Sequence, residues 1–167
     1  MVLETTVGQA LQGKKLGRVI SVGPEELVID ALKTMAIHDI GALVVMENGQ
    51  ILGIITERDY ARKVILENRS SRTTRVGEIM KSSVLFVGPE DPIEGCLQLM
   101  TNKRIRHMPV LDGDKLVGLV SMGDVVKTVI SDQEFMIDEL TRYLDGSYSG
   151  WFGPKGPGRA TVVERSL

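Results

Sequence analysis

The sequence predicts an α/β (α+β) fold. Two pseudo-symmetric β-α-β-β-α repeats pack through their sheets, followed by a C-terminal helix and a flexible tail. Three observations predict it. A shift of 65 positions aligns Val19–Ile65 with a second copy without a gap, so "VGPE" (22–25) falls on "VGPE" (87–90) and "GIITERD" (53–59) on "GLVSMGD" (118–124). In each copy the apolar spacing switches between strand-like and helical periods. Each copy also places a turn signal, "ENGQ" or "DGDK", between two apolar runs, which marks a hairpin. A unit of about 60 residues is marginal alone, so the copies are expected to form one body.

The elements follow in order. "VGQAL" (7–11) matches "VGEIM" (76–80) at an offset of 69, so the first copy has four extra residues in the loop "QGKKLGR". Short strands are expected at Arg18–Val22 and Ser83–Val87, each ended by Gly-Pro. Leu27, Val28, Ala31, Leu32 and Met35 recur at helical spacing, as do Ile93, Cys96, Leu97 and Met100. The hairpin strands are "GALVVM" with "ILGIIT", and "HMPVL" with "LVGLVS". Pro109 inside a strand suggests an edge or a strand start. A second helix opens near Asp59 or Asp124, with Tyr60, Ala61, Val64 and Ile65, or Val125, Val126, Val129 and Ile130, facing inward. The expected organisation is repeat 1 at 7–66, a polar linker at 67–75 and repeat 2 at 76–131. A helix at 132–145 follows, with Phe135, Met136, Leu140 and Leu144 on one face. The Gly- and Pro-rich tail at 146–167 contains Trp151 and Phe152.

Composition narrows the function. Aromatic residues are 4%, so the core must be aliphatic. The net charge of −2 argues against a nucleic-acid binder, which usually carries a basic excess. The longest apolar run, Ile40–Met46, is far shorter than the roughly 20 residues of a membrane span. The N-terminus lacks the basic-then-apolar pattern of a secretion signal. A single cysteine, Cys96, rules out an internal disulfide and fits a reducing compartment, so a cytoplasmic location is expected. Cys96 sits among apolar positions and reads as core. Two histidines, His38 and His107, without clustered cysteine give no metal site. No catalytic triad and no phosphate-binding P-loop is legible, so no enzyme is expected.

The repeated phrase has two readings. Thr56-x-x-Asp59 and Ser121-x-x-Asp124 are capping boxes before a helix, in which hydroxyl and carboxylate satisfy free backbone N–H groups. The same geometry suits a ligand. A helix start favours phosphate, the hydroxyl adds a hydrogen bond, and the Asp offers acceptors to a ribose diol. Spacing alone does not decide. "RIRHMPV" (104–110) adds Arg104, Arg106 and His107 at a strand entrance, which suits an anion or guards a solvated edge. The aligned positions in repeat 1 are Asp39, Gly41 and Ala42, so the two sites should not be equivalent.

These residues carry a resemblance. Two β-α-β-β-α copies with the Gly…Thr/Ser-x-x-Asp phrase, plus "RIRHMPVLD", resemble a tandem cystathionine-β-synthase (CBS) domain pair, also called a Bateman module, over roughly residues 7–131. The resemblance implies a regulatory adenine-nucleotide sensor with two clefts between the repeats. It assigns Thr56 and Ser121 to phosphate, and Asp59 and Asp124 to ribose. It assigns Arg18 to Ile20, and Ser83 to Leu85, to adenine. Arg106 and His107 are assigned to phosphate, with Met108 and Pro109 nearby. Repeat 1 departs by offering Gly41 and Ala42, and Arg58, which has no counterpart at Gly123, is the compensating cation. AMP or ATP is the expected ligand, with NAD or S-adenosylmethionine as further candidates. A homodimer acting on an unknown effector protein is the expected assembly. The other reading is a constitutive dimerisation module in which the phrases are caps alone.

Overall fold

The computed structural model describes residues 5–14 and 19–147. In order these form α1 (Val7–Gln12), β1 (Ser21–Val22), α2 (Val28–His38), β2 (Ala42–Glu47), β3 (Gln50–Thr56), α3 (Glu57–Tyr60) and a π-helical turn at Ala61–Ile65. They continue with α4 (Val76–Ile79), α5 (Ile93–Lys103), β4 (His107–Asp112), β5 (Lys115–Ser121) and α6 (Met122–Ser147). The chain divides into two units, residues 1–132 and 133–167, and both repeats lie in the first.

The duplication extends to the irregularities. Each hairpin carries a bulge at the aligned position, Val45/Met46 and Val110/Leu111. Helices α2 and α5 each end on a left-handed residue, Asp39 (φ 52°) and Arg104 (φ 55°). The turns differ. Asn48 and Gly49 both take positive φ (51° and 78°), as a type I′ turn requires, whereas Gly113 (φ 60°) alone does so in the second hairpin, the pattern of type II′.

The first strands are shorter than the sequence suggests, and Pro109 supplies the reason for one of them. β1 pairs in parallel with β2 through Ser21–Val44 and Val22–Val45, giving the sheet order β1-β2-β3. The counterpart, Val87 with Val110, is a lone bridge beside the two-stranded β4–β5 sheet. Val87 N–H donates to the Pro109 carbonyl at 3.1 Å, and Leu111 N–H to the Val87 carbonyl at 2.9 Å. One step earlier, the ladder would need a donor at position 109, and proline has none. Segment 83–86 is therefore not zipped into the sheet. Pro109 itself sits within β4 rather than at its start, with its donor-free side toward Val87. Arg18 lies outside the described residues.

The short helices α1 and α4 are exchanged between the halves. Val7 and Gly8 N–H groups donate to Asp91 and Pro89 (2.9 and 2.8 Å), and Ile93 N–H donates to Thr5 (2.9 Å). The mirror set joins Val76 and Gly77 to Glu26 and Pro24 (both 2.8 Å), and Val28 to Thr74 (2.9 Å). Gly8 and Gly77 permit this approach, since a Cβ there would stand 2.9 and 3.1 Å from the acceptor carbonyls. One core joins Val28, Ala31, Met35, Leu43, Val45 and Ile55 to Val76 and Ile79. The other joins Ile93, Cys96, Met100, Met108, Val110 and Val120 to Val7. Burying a Val or Ile side chain contributes about 1.5–3 kcal/mol, so the exchange clamps the halves together.

The second helices bury fewer residues than their pattern suggests. Val64 and Val125 are fully buried, but Ile65, Val126 and Ile130 are exposed. In repeat 2 this helix does not stop near residue 131. It runs on as α6 to Ser147, because no Gly or Pro interrupts it between Asp124 and Asp145. In the second unit α6 exposes Phe135, Met136, Ile137 and Leu140. The expected tail from residue 148, with Trp151 and Phe152, lies outside the described residues.

Candidate functional site

Both repeated phrases are capping boxes. The Asp59 N–H donates to Thr56 Oγ1 at 3.2 Å, while Thr56 N–H (3.0 Å) and its hydroxyl (2.7 Å) donate to Asp59 Oδ2. The same three bonds join Ser121 and Asp124, at 3.2, 2.7 and 2.7 Å. Asp59 is 2% exposed. Its second oxygen, Oδ1, lies 3.5 Å from Lys63 Nζ and 3.9 Å from Lys81 Nζ, which compensates the buried charge.

Above the first box lies a cleft of about 490 Å³, within the range of small-molecule and cofactor sites. Its walls come from both repeats. Gly41, Ile54, Thr56, Glu57 and Arg58 form one side; Lys81, Ser83–Leu85 and Lys103–His107 form the other. Helix α3 starts here because Thr56 caps it and because Glu57 N–H bonds the Gly41 carbonyl at 3.1 Å. Gly41 faces the opposite repeat, since a Cβ on it would stand 3.5 Å from Glu57 Oε2 and 3.9 Å from His107 Cε1. Arg58, Lys81, Lys103, Arg104 and Arg106 line the cleft against the single carboxylate of Glu57. Such a wall favours an anion with several acceptor oxygens.

His107 lines the large cleft and lies opposite Ser121 of the second box in the β4–β5 ladder. Burial, then the nearby Lys14 and Arg106 charges, hold its imidazole below its ordinary value, with Asp124 opposing them. The folded state therefore prefers neutral His107. Its contribution to stability is present above the unfolded value, near 6.5, and is lost as pH falls through that value toward the lowered one. We expect urea midpoints to decline between about pH 7 and pH 5, and His107→Gln to flatten that decline. An unchanged slope in the variant would sink the assignment. Asp124 titrates well below this window. Burial alone would raise it, but hydrogen bonds from Lys14 and from the Ser121 hydroxyl and N–H outweigh burial and hold it low.

A second cleft, of about 90 Å³, is lined by Leu11, Lys14, Val19, Ile20, Ile40, Val117, Gly118 and Leu119. The sequence-derived residues therefore divide. Thr56, Arg58, Ser83, Leu85, Arg106 and His107 line the large cleft, and Ile20 lines the small one. Asp59, Ala42, Met108 and Pro109 are buried behind the walls. Ser121 and Asp124 form the second box, bound to Lys14. Among the charged residues lining the large cleft, sequence reasoning missed Lys81, Lys103 and Glu57. The basic run "KRIRH" was a usable signal for Lys103. Lys81 had none, because its segment joins the first half through the helix exchange. Among the described residues no group of three or more His, Cys, Asp or Glu could hold a metal ion, and no helix is long and apolar enough to cross a membrane.

Interlocked β-α-β-β-α repeats, with capped Thr/Ser-x-x-Asp helices beside two clefts, define a duplicated two-cleft module. The chain belongs to the CBS domain family, whose profile matches residues 16–66 and 76–131. It is similar to the CBS domain-containing protein CBSX3, mitochondrial, of Arabidopsis thaliana, at 43% identity over 129 residues. That match covers 74% of this chain and 63% of the relative, so the chain spans under two thirds of that protein's length. A protein with CBS domains from Burkholderia ambifaria MC40-6 has 52% identity and a TM-score of 0.74, over 77% of this chain and 96% of that one. The CBS domain pair of protein MJ0100, solved with 5′-methylthioadenosine and S-adenosyl-L-methionine, has 25% identity and a TM-score of 0.62, over 68% and 90%.

Proposed function

We propose that the chain is a regulatory adenine-nucleotide sensor that binds its ligand in the large cleft and acts on a separate effector. The observation that carries this reading is the convergence of five cationic side chains on a nucleotide-sized cleft that also holds Thr56 and the start of α3. The adenosine-containing ligands of the MJ0100 domain pair support adenine as the base. The charge of the wall favours ATP over AMP, NAD and the sulfonium cation S-adenosylmethionine. Ser83 and Leu85, freed from the sheet by Pro109, offer backbone groups to adenine, while Arg106, Arg58 and Thr56 take phosphate. The apolar residues exposed along α6 favour pairing of two copies, so the working unit is a homodimer; a monomer at micromolar concentration by light scattering would contradict this.

Thermal-shift measurement with a panel of these ligands tests the reading. A ligand that binds the folded state alone adds about 2.7 kcal/mol at a hundred times Kd, a rise of several degrees for a domain this size. The expected order is ATP above AMP, with S-adenosylmethionine weakest. An unchanged Tm with all four ligands at millimolar concentration would favour the alternative, a dimerisation module whose phrases are caps alone.

A further inference from the structure

The second cleft is small because the chain fills its polar end. Lys14 Nζ lies 2.6 Å from Asp124 Oδ2 and donates to the Leu119 carbonyl at 2.8 Å. The aligned carbonyl in the first half, that of Ile54, accepts instead from the Lys81 backbone N–H at 2.9 Å. The difference starts in the sequence. Helix α4 stops at Ile79, so Lys81 is extended and bridges β3. Helix α1 continues to Gln12, the residue aligned with Lys81, and its backbone makes no such bridge to β5. Lys14, in the loop that is four residues longer, reaches the vacant carbonyl with its side chain.

We propose that Lys14 is a built-in occupant of the second cleft, holding the Asp124 carboxylate and the Leu119 carbonyl so that a nucleotide is excluded there. The carboxylate is the group a ribose diol would need, and its Oδ2 already takes three donors: the ammonium, the Ser121 hydroxyl and the Ser121 N–H. The remaining space, about 90 Å³, is below the roughly 300 Å³ lower limit of typical ligand pockets. The two clefts of one chain are thus unequal by construction, and only the larger is open. The exclusion of nucleotide rests on the sensor reading above; the closure by Lys14 does not.

Two measurements on the full chain test it. Calorimetric titration with ATP should give one site per chain in the wild type and two in Lys14→Ala, which empties the polar end of the cleft. Two sites in the wild type, one in the variant, or weaker binding in the variant would each overturn the proposal. Amine labelling of the unliganded protein, mapped by mass spectrometry, supplies a readout that needs no nucleotide. Lys14 should react severalfold more slowly than the exposed Lys33, and Asp124→Asn should remove that protection. Equal rates in the wild type would overturn the closure. If ATP binds neither protein while Lys14 stays protected, the sensor reading fails and the closure stands.

Discussion

Arg106→Ala is expected to weaken ATP binding by roughly ten- to a hundredfold while leaving the melting temperature almost unchanged. A hydrogen bond between charged partners contributes about 1.5–3 kcal/mol, which converts to that range of Kd. Arg106 is exposed on the wall of the cleft, so its loss removes no packing. Arg58, Lys81, Lys103 and Arg104 remain, so binding is weakened rather than abolished. Arg106→Lys should recover part of the loss, since an ammonium keeps the charge but not the planar fork. Thr56→Val, in the other repeat, should weaken the same binding event. Calorimetric titration at fixed ionic strength reads all three variants. An unchanged Kd in Arg106→Ala would remove this wall from the phosphate site.

Gly53→Ala should destabilise the fold by about 3 kcal/mol, the upper part of the range for overpacking. A Cβ at Gly53 would stand 2.5 Å from the Lys81 carbonyl oxygen and 3.0 Å from Met80 Sδ. Backbone must therefore move, and the Ile54–Lys81 bridge that follows α4 breaks. Val76 and Ile79, fully buried in the opposite repeat's core, then lose their clamp. The aligned Gly118→Ala meets the side chain of Leu11 instead, which can rotate away. It should cost clearly less. Urea denaturation of both variants compares them, and equal losses would contradict this difference between the repeats.

The repeat, the hairpins and the capping boxes were legible because each is a local pattern. Asn48-Gly49 needs nothing distant to turn, and Thr56 caps the helix that its own Asp59 helps to start. The cross-packing was not legible. The spacing of Val76 and Ile79 says that they are buried, not that they are buried against Met35 and Leu43 rather than in their own repeat. For the same reason the sequence could not say that Arg106 and His107 face the Thr56 box. Pro109 was visible, but its effect depends on which side of β4 its missing donor faces. Lys14 gave no signal at all, since its partners are Leu119 and Asp124, more than a hundred residues away.

The central claim is that one composite cleft, walled by both repeats, takes the nucleotide. Amide NMR during titration of the full chain with ATP tests it most directly. The account predicts that Gly41, Thr56–Arg58, Ser83–Leu85 and Arg104–His107 shift together along one saturation curve, while Leu11–Lys14 and Val117–Leu119, at the small cleft, stay in place. No shifts at millimolar ATP, or shifts gathered at the small cleft without the Thr56 group, would contradict it.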